Sequence, residues 1–175
     1  MKKLRKMLGD PYQPEIQALM RLIETQSKDT IVRWCIRYAA DNYLPIYSKL
    51  MPHDTRPQNA LKAATDWLNK SIKLPEAKKH ILACHEAARE LEKQPAEQAV
   101  ARAIGQGASS IHTVTHALGI AFYGAAAVAY NTAGLNQTAE VYDKIAAEEF
   151  VSIYNSLKAV AVENEPNLAK VNWGC

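Results

Sequence analysis

The sequence predicts an all-α protein, a single-domain bundle of six to seven helices around a central Ala/Gly-rich helix that is kinked or broken. Apolar residues recur three and four positions apart in successive segments, as they do on the buried face of an amphipathic helix. No segment shows the alternation of apolar and polar residues that a half-buried strand requires. At 175 residues the chain is long enough to bury an ordinary core as one domain.

Prolines and capping residues predict the first three helices. Pro14 can open the first helix, and Ser27 can cap the second. Pro45 is expected to kink or end that second helix, because proline lacks an amide hydrogen and clashes with the preceding turn. Asp54 is the expected N-cap of the third helix, with Pro57 in its first turn.

Residues 95–133, which follow the fourth helix, form the most apolar segment of the chain. Pro75 starts a fourth helix, and after it residues 95–133 carry no charged residue beyond Arg102. Two features can break this segment: Gly105 and Gly107, and the β-branched residues that fill four of the five positions of 111–115. We therefore expect two helices, or one kinked helix, inside the bundle.

The domain boundaries follow from charge and periodicity. Residues 1–10 are predicted to form a basic, loosely held N-terminal arm, residues 11–165 the helical bundle, and residues 166–175 an irregular tail. Gly134 stops the central segment, and the last helix continues to about Val162.

Cysteine usage and the N-terminus point to a cytoplasmic protein. Cys35 and Cys84 lie at apolar positions of predicted helices, and Cys175 ends the chain, so reduced thiols are expected. The opening MKKLRKML has no apolar run behind it and is not a signal peptide. The apolar stretch 95–133 is not expected to span a membrane, because Arg102, Gln106, His112 and His116 interrupt its candidate 20-residue windows.

One side of the central segment is polar. On a 3.6-residue period, Arg102, Gln106, Ser109, Thr113 and His116 fall together. A buried polar group without a hydrogen-bond partner costs roughly 1–3 kcal/mol, so other helices must supply partners for this stripe.

A metal site is one interpretation of the histidines. His112 and His116 are four residues apart and could face one ion, with His85 as a third ligand and Asp54 or Glu86 as a carboxylate. The sequence lacks the glutamate that follows the first histidine in metalloprotease helices. Histidines that are packed and hydrogen-bonded inside the bundle are therefore the favoured interpretation, and no cofactor is predicted.

A buried polar network is the broader hypothesis. Arg56, Arg89 and Arg102 lie near predicted helix interiors together with the histidines, and all need acceptors. The nearby carboxylates are Asp54, Asp66, Glu86 and Glu90. Such a network can fix the packing of the helices or line a ligand pocket. The sequence favours the first role and leaves the second open.

The same residues carry a family resemblance, which covers about residues 30–130. The chain resembles the all-α immunity protein family found beside toxins in bacterial polymorphic toxin systems. It departs from the family pattern at Val114, where a proline is expected between the two histidines. The matching features are the Asp54-x-Arg56-Pro57 turn, Trp67, His85-Glu-Ala-Ala-Arg89, Arg102-x-x-Gly105-Gln106, His112-x-x-x-His116-Ala117 and Tyr123.

The resemblance implies an antidote that binds and neutralises a cognate toxin protein without catalysis. It also implies a shared polar set with a structural or binding role: Asp54, Arg56, His85, Arg89, Arg102, Gln106, His112 and His116. The alternative is a metal- or small-molecule-dependent enzyme that uses the buried His/Arg/Asp cluster.

Charge and composition limit the other partners. The net charge of +3 does not favour an acidic surface that blocks a basic toxin. Nucleic-acid binding would rest on Lys2, Lys3, Arg5 and Lys6 alone and is disfavoured. Bundles with apolar terminal helices often form homodimers, and the sequence leaves the oligomeric state open.

Overall fold

The regular structure is entirely helical in residues 4–174, the part of the chain that the computed structural model describes. Three elements follow one another without a break over residues 28–50, so the described residues form seven separate helices. The predicted all-α bundle of six to seven helices is confirmed. The elements are α1 (Pro14–Glu24), α2 (Lys28–Tyr38), a π-helical turn (Ala39–Tyr43), α3 (Leu44–Leu50), α4 (Arg56–Leu68), α5 (Leu74–Glu90), α6 (Pro95–Ser109), α7 (His116–Ala133) and α8 (Ala139–Val160).

The second helix begins where its sequence predicts. The Ser27 hydroxyl accepts a hydrogen bond from the Thr30 amide at 3.2 Å, which caps α2. Pro45 does not end the helix. It lies in the first turn of α3, directly after the π-helical turn. A π-helical turn inserts an extra residue into the helix, and this local widening lets the chain stay helical through the proline.

The central segment is two helices, and its break lies in residues 110–115, at the β-branched stretch. Gly105 and Gly107 lie inside α6, and at Gly107 tertiary packing explains the glycine. A Cβ at position 107 would stand 2.9 Å from the Ala39 Cβ and 3.2 Å from the Cys35 carbonyl oxygen. Gly107 therefore allows α6 to pack directly against the backbone of α2. Because α6 ends at Ser109, the polar stripe predicted for one continuous helix does not continue in phase into α7.

The core is centred on α6, which packs against α2, α3, α4, α5 and α7. Eleven of its fifteen residues are buried, including Val100 and Ile104. On the outer side, α8 packs against α1, α2 and α7 and buries Phe150 and Ile153. Small residues on α6 and α7 bring these two helices close together, which leaves little room for large side chains between them.

The basic arm is not loosely held over residues 4–10. Leu8 is fully buried, and its amide donates to the Phe122 carbonyl at 3.1 Å. Arg5 pairs with Asp143 of α8 at 2.5 Å, and its carbonyl accepts from the Tyr130 hydroxyl of α7. The segment therefore covers the contact between α7 and α8. Lys2 and Lys3 lie outside the described residues.

The C-terminal tail is non-helical as far as it is described, and it returns to the first helices. The Ala169 amide donates to the Gln26 carbonyl at 2.8 Å, and the Trp173 indole donates to Glu24 at 2.7 Å. Cys175 lies outside the described residues. The domain boundaries at residues 10 and 165 stay predictions. Within residues 4–174, no helix combines the length and hydropathy that a membrane crossing requires.

Candidate functional site

The structure divides the predicted polar residues among separate places. Asp54 and Arg56 join α3, α4 and α5. The other group lies where α5, α6 and α7 meet, and it consists of His85, Gln106, His112 and His116. Arg89 is exposed on α5 and pairs with Glu86 one turn before it. Arg102, one turn before Gln106 on α6, lines a small cavity that also borders the start of that helix. The proposed single cluster is therefore several local arrangements.

The first arrangement is the Asp54 cluster, formed by Tyr47, Asp54, Arg56 and Glu90. One carboxylate oxygen of Asp54 accepts from the Arg56 amide and Arg56 Nε, both at 3.0 Å. The other accepts from the buried Tyr47 hydroxyl at 2.8 Å and from Arg56 at 2.9 Å. Asp54 thus caps α4 although Thr55 occupies the N-cap position. Arg56 also donates twice to Glu90 on α5, at 3.0 and 2.7 Å.

The charges in the Asp54 cluster stabilise one another. Hydrogen bonds from Arg56 lower the pKa of Asp54, and they lower that of Glu90 as well. Glu90 and Asp54 raise the pKa of Arg56 in return. Burial, followed by the bond to Asp54, raises the pKa of Tyr47. Arg56, Asp54 and Glu90 therefore all stay ionised at neutral pH. The cluster fixes the packing of three helices, and none of these groups titrates near pH 7.

His85 forms a second arrangement with α6. Its Nε2 lies 3.0 Å from the buried Ser109 hydroxyl, and its ring covers Gly105. A Cβ at position 105 would stand 2.8 Å from the ring carbon Cε1, so only glycine admits the imidazole here. Burial, with a further contribution from the positive charge of Arg102, lowers the pKa of His85 to about 4. The ring is neutral at pH 7.

The third arrangement lies at the corner between α6 and α7. His116 Nδ1 is 2.7 Å from the Gln106 side-chain oxygen, and the Gln106 side chain packs on Gly119. The His112 ring meets the His116 ring edge to face, with centroids 6.3 Å apart. Burial lowers the pKa of both rings. His112 Nε2 is buried and has no hydrogen-bond partner among the described residues.

The three histidines are not brought together as metal ligands. Among residues 4–174, no group of three His, Cys, Asp or Glu side chains is placed to hold a metal ion. His85 and His116 instead face Ser109 and Gln106. Cys84 is also unsuited to nucleophilic chemistry, because burial raises the pKa of its thiol to about 12.

A fourth polar arrangement was not expected from the sequence. Glu149 on α8 accepts from the Tyr38 and Tyr43 hydroxyls at 2.9 and 2.8 Å. Burial raises the pKa of Glu149. The sequence analysis identified no role for Glu149. The one local signal is Gly124 of α7, where a Cβ would stand 2.0 Å from the Tyr43 hydroxyl.

Arg102 lines a cavity of about 90 Å³ between the N-terminal segment, the start of α6 and α7. We call it the Arg102 cavity. Neither the Arg102 guanidinium nor the Tyr123 hydroxyl has a hydrogen-bond or ion-pair partner among the described residues. Its wall consists of Leu4, Arg5, Lys6, Glu92, Pro95, Gln98, Ala99, Arg102 and Tyr123.

The fold and these arrangements define a class of all-α protein in which most of the predicted polar residues join helices to one another. The chain matches the family model described as "Imm-5 like putative immunity protein" over residues 21–155, more than three quarters of its length. It belongs to that family, as the sequence resemblance predicted. Comparison with curated proteins and with solved structures gives no match.

Proposed function

We propose that the protein is an immunity protein, which binds a cognate bacterial toxin in the cytoplasm and neutralises it without catalysis. Its membership of the Imm-5-like family carries this proposal, because the matched residues 21–155 include every polar residue that the resemblance singled out. A stoichiometric antidote needs a stable scaffold and a contact surface, and it needs no reacting groups.

The geometry of the polar residues supports the proposal. Arg56 holds two carboxylates on different elements, and Gln106 holds His116 across the α6–α7 corner. Side chains that are occupied in this way stabilise the scaffold and are unavailable for chemistry. Toxin recognition therefore falls to the exposed faces of the helices and to unpaired groups such as Arg102.

Co-expression with the product of the neighbouring reading frame tests the proposal. Growth rescue, together with a complex that survives size-exclusion chromatography, is the expected result. As a negative control, the variant Ile104→Asp, altered in the centre of α6, should not fold and should not rescue growth. Growth arrest that persists in the presence of the folded wild-type chain, with no complex formed, would contradict the proposal.

One observation favours a second function, that of a metal- or small-molecule-dependent enzyme. The unpartnered His112 Nε2 leaves one hydrogen-bonding position at the α6–α7 corner for a ligand. Metal analysis of the purified protein distinguishes the two functions. Stoichiometric metal that is lost in a His112→Ala/His116→Ala double mutant would favour the enzyme. A melting temperature unchanged by chelator, with no metal bound, favours the immunity protein.

A further inference from the structure

We propose that the Arg102 cavity is a carboxylate-binding site, which takes one Asp or Glu side chain of the toxin. This inference rests on the proposed function and deepens it, because it names a contact point and its chemistry. It follows from three features of the cavity: its unused donors, its charge and its size.

The donors come first. Arg102 is half-buried on α6 and makes no hydrogen bond or ion pair within residues 4–174. The half-buried Tyr123 of α7 lines the same cavity, and its hydroxyl is also unpartnered in that range. The Gln98 side chain closes the inner wall, where its amide is already bonded to the Ala88 carbonyl at 2.7 Å. An unpaired guanidinium beside a free hydroxyl presents several N–H and O–H donors to one small volume.

The charge balance selects a monoanion. Arg5 is neutralised by Asp143, so its charge is already compensated. Lys6 and Glu92, both exposed on the wall, are of opposite sign. Together with Arg102 they leave one net positive charge at the cavity. One carboxylate compensates that charge, whereas a phosphate dianion would leave an excess negative charge beside Glu92.

Size and geometry point to a side-chain carboxylate. A volume of about 90 Å³ admits a carboxymethyl or carboxyethyl group and excludes a nucleobase or a sugar. The planar guanidinium binds both oxygens of a carboxylate through two parallel hydrogen bonds, and this fork makes arginine more selective than lysine. A partner's Asp or Glu, inserted between α6 and α7, would therefore form a charge-assisted pair that is partly shielded from water.

One wall of the cavity lies outside the family match. Arg102 and Tyr123 fall within residues 21–155, whereas Leu4, Arg5 and Lys6 precede them. The N-terminal segment is held over α7 by the Leu8 amide and the Tyr130 hydroxyl. The arginine and tyrosine thus belong to the part of the chain shared with the family, and the segment in front of them narrows the opening.

The first arm of the test uses the isolated full chain and two small anions. Sodium acetate and inorganic phosphate are titrated at constant ionic strength while the side-chain resonances of Arg102 and Tyr123 are followed by NMR. We expect acetate to shift the Arg102 Nε–Hε resonance saturably, with a dissociation constant in the millimolar range suited to so small a ligand. Phosphate binding that is tighter than acetate binding would overturn the carboxylate assignment.

The second arm measures affinity for the neighbouring-frame product by calorimetry. Arg102→Gln should weaken binding about 10- to 100-fold, since it removes two charge-assisted hydrogen bonds to the carboxylate. Arg102→Lys keeps the positive charge and loses the paired hydrogen bonds of the guanidinium, so its affinity should lie between those of the wild type and Arg102→Gln. Tyr123→Phe should weaken binding by a smaller factor. Arg21→Gln, which removes an exposed arginine of α1 that has no ion pair among the described residues, is the matched control and should bind like the wild type.

The outcomes separate this inference from the proposed function. If the wild type binds and rescues growth but Arg102→Gln binds as tightly as Arg21→Gln, the site assignment is wrong and the immunity function stands. If the wild type does not bind at all, the proposed function fails, and with it the toxin as the source of the carboxylate. Urea unfolding of each variant shows whether a lost affinity reflects a lost fold. Should Arg102→Gln unfold, Arg102→Lys and Tyr123→Phe decide the question.

Discussion

Replacing Asp54 by alanine gives the sharpest test of whether the shared polar residues belong to the scaffold. The side chain of Asp54 is 12% exposed and accepts four hydrogen bonds, one from Tyr47 and three from Arg56. In the Asp54→Ala variant, the fully buried Tyr47 hydroxyl loses its partner and α4 loses its cap. Arg56 keeps its two bonds to Glu90, so its charge is not left unpaired.

The expected destabilisation follows from these losses. The cap contributes about 1 kcal/mol, and an orphaned buried hydroxyl costs roughly 1–3 kcal/mol. Breaking a fully buried ion pair would cost about 3–5 kcal/mol, which is an upper limit here because Arg56 is partly exposed and retains Glu90. We therefore expect Asp54→Ala to lower the free energy of unfolding by about 3 kcal/mol. In a chain of this size, that corresponds to about 6–12 °C in melting temperature.

Urea unfolding followed by tryptophan fluorescence measures this change. Tyr47→Phe should cost about 1 kcal/mol, because Asp54 remains bonded to Arg56. The double variant Asp54→Ala/Tyr47→Phe should cost less than the sum of the two, since it no longer leaves the hydroxyl unpaired. Asp66→Ala, which removes the partner of Lys62 in a surface pair, is the matched control and should change stability by less than about 0.5 kcal/mol.

A loss below about 1 kcal/mol for Asp54→Ala would refute the energetic reasoning, because losing the cap and leaving the buried Tyr47 hydroxyl without a partner should together cost more than that. If the variant kept its stability and lost only affinity for the toxin, Asp54 would belong to the contact surface. Stability and affinity therefore have to be measured on the same preparation.

Three further predictions concern His85 and two glycines of α7. The pKa of His85 is about 4 in the folded chain and 6.5 in the unfolded chain, so between these values the unfolded chain binds a proton that the folded chain does not bind. The contribution of His85 to the free energy of unfolding is therefore complete above pH 6.5 and decreases as the pH falls. About 1–2 kcal/mol should be lost by pH 4, after allowance for the partial exposure of the ring. The loss should shrink in His85→Gln, and it should persist in a variant lacking the exposed His80. Gly119→Ala should destabilise by about 1–3 kcal/mol, since its Cβ would stand 2.3 Å from the Gln106 side-chain oxygen, and adding Gln106→Ala should restore most of the loss. Gly124→Ala should cost a similar amount of about 1–3 kcal/mol without rescue by Tyr43→Phe, because the new Cβ would also stand 2.4 Å from Cζ of that buried ring; rescue by Phe would contradict the packing.

The sequence was sufficient for the helices because their signals are local. Capping by Ser27 and the prolines near the starts of α1, α4 and α5 depend on a few neighbouring residues, and so does the 3.6-residue periodicity. The break at residues 110–115 was one of two candidates, and the sequence could not choose between them. Tertiary packing explains why the break is not at the glycines: Gly107 lies inside a continuous helix because it packs closely against α2.

The polar partners were predicted only where sequence distance was short or the alternatives were few. Asp54 and Glu90 were among the acceptors expected for Arg56, and Glu86 was among those available to Arg89. Glu149 was missed, because its partners Tyr38 and Tyr43 lie more than a hundred residues away on another helix. Periodicity identifies which face of a helix is buried, but it does not identify the helix that covers that face.

By itself, then, the sequence determined an all-α bundle with a buried, small-residue centre, and its motifs placed the chain in the Imm-5-like family. Tertiary structure alone decided which partners the histidines bond, Ser109 for His85 and Gln106 for His116, and that Arg102 lies beside a cavity lined in part by the N-terminal segment. The physical reason is that helix formation is governed by interactions within a few turns. The pairing and the charge state of a buried group depend instead on whichever distant side chains the packing brings within about 3 Å.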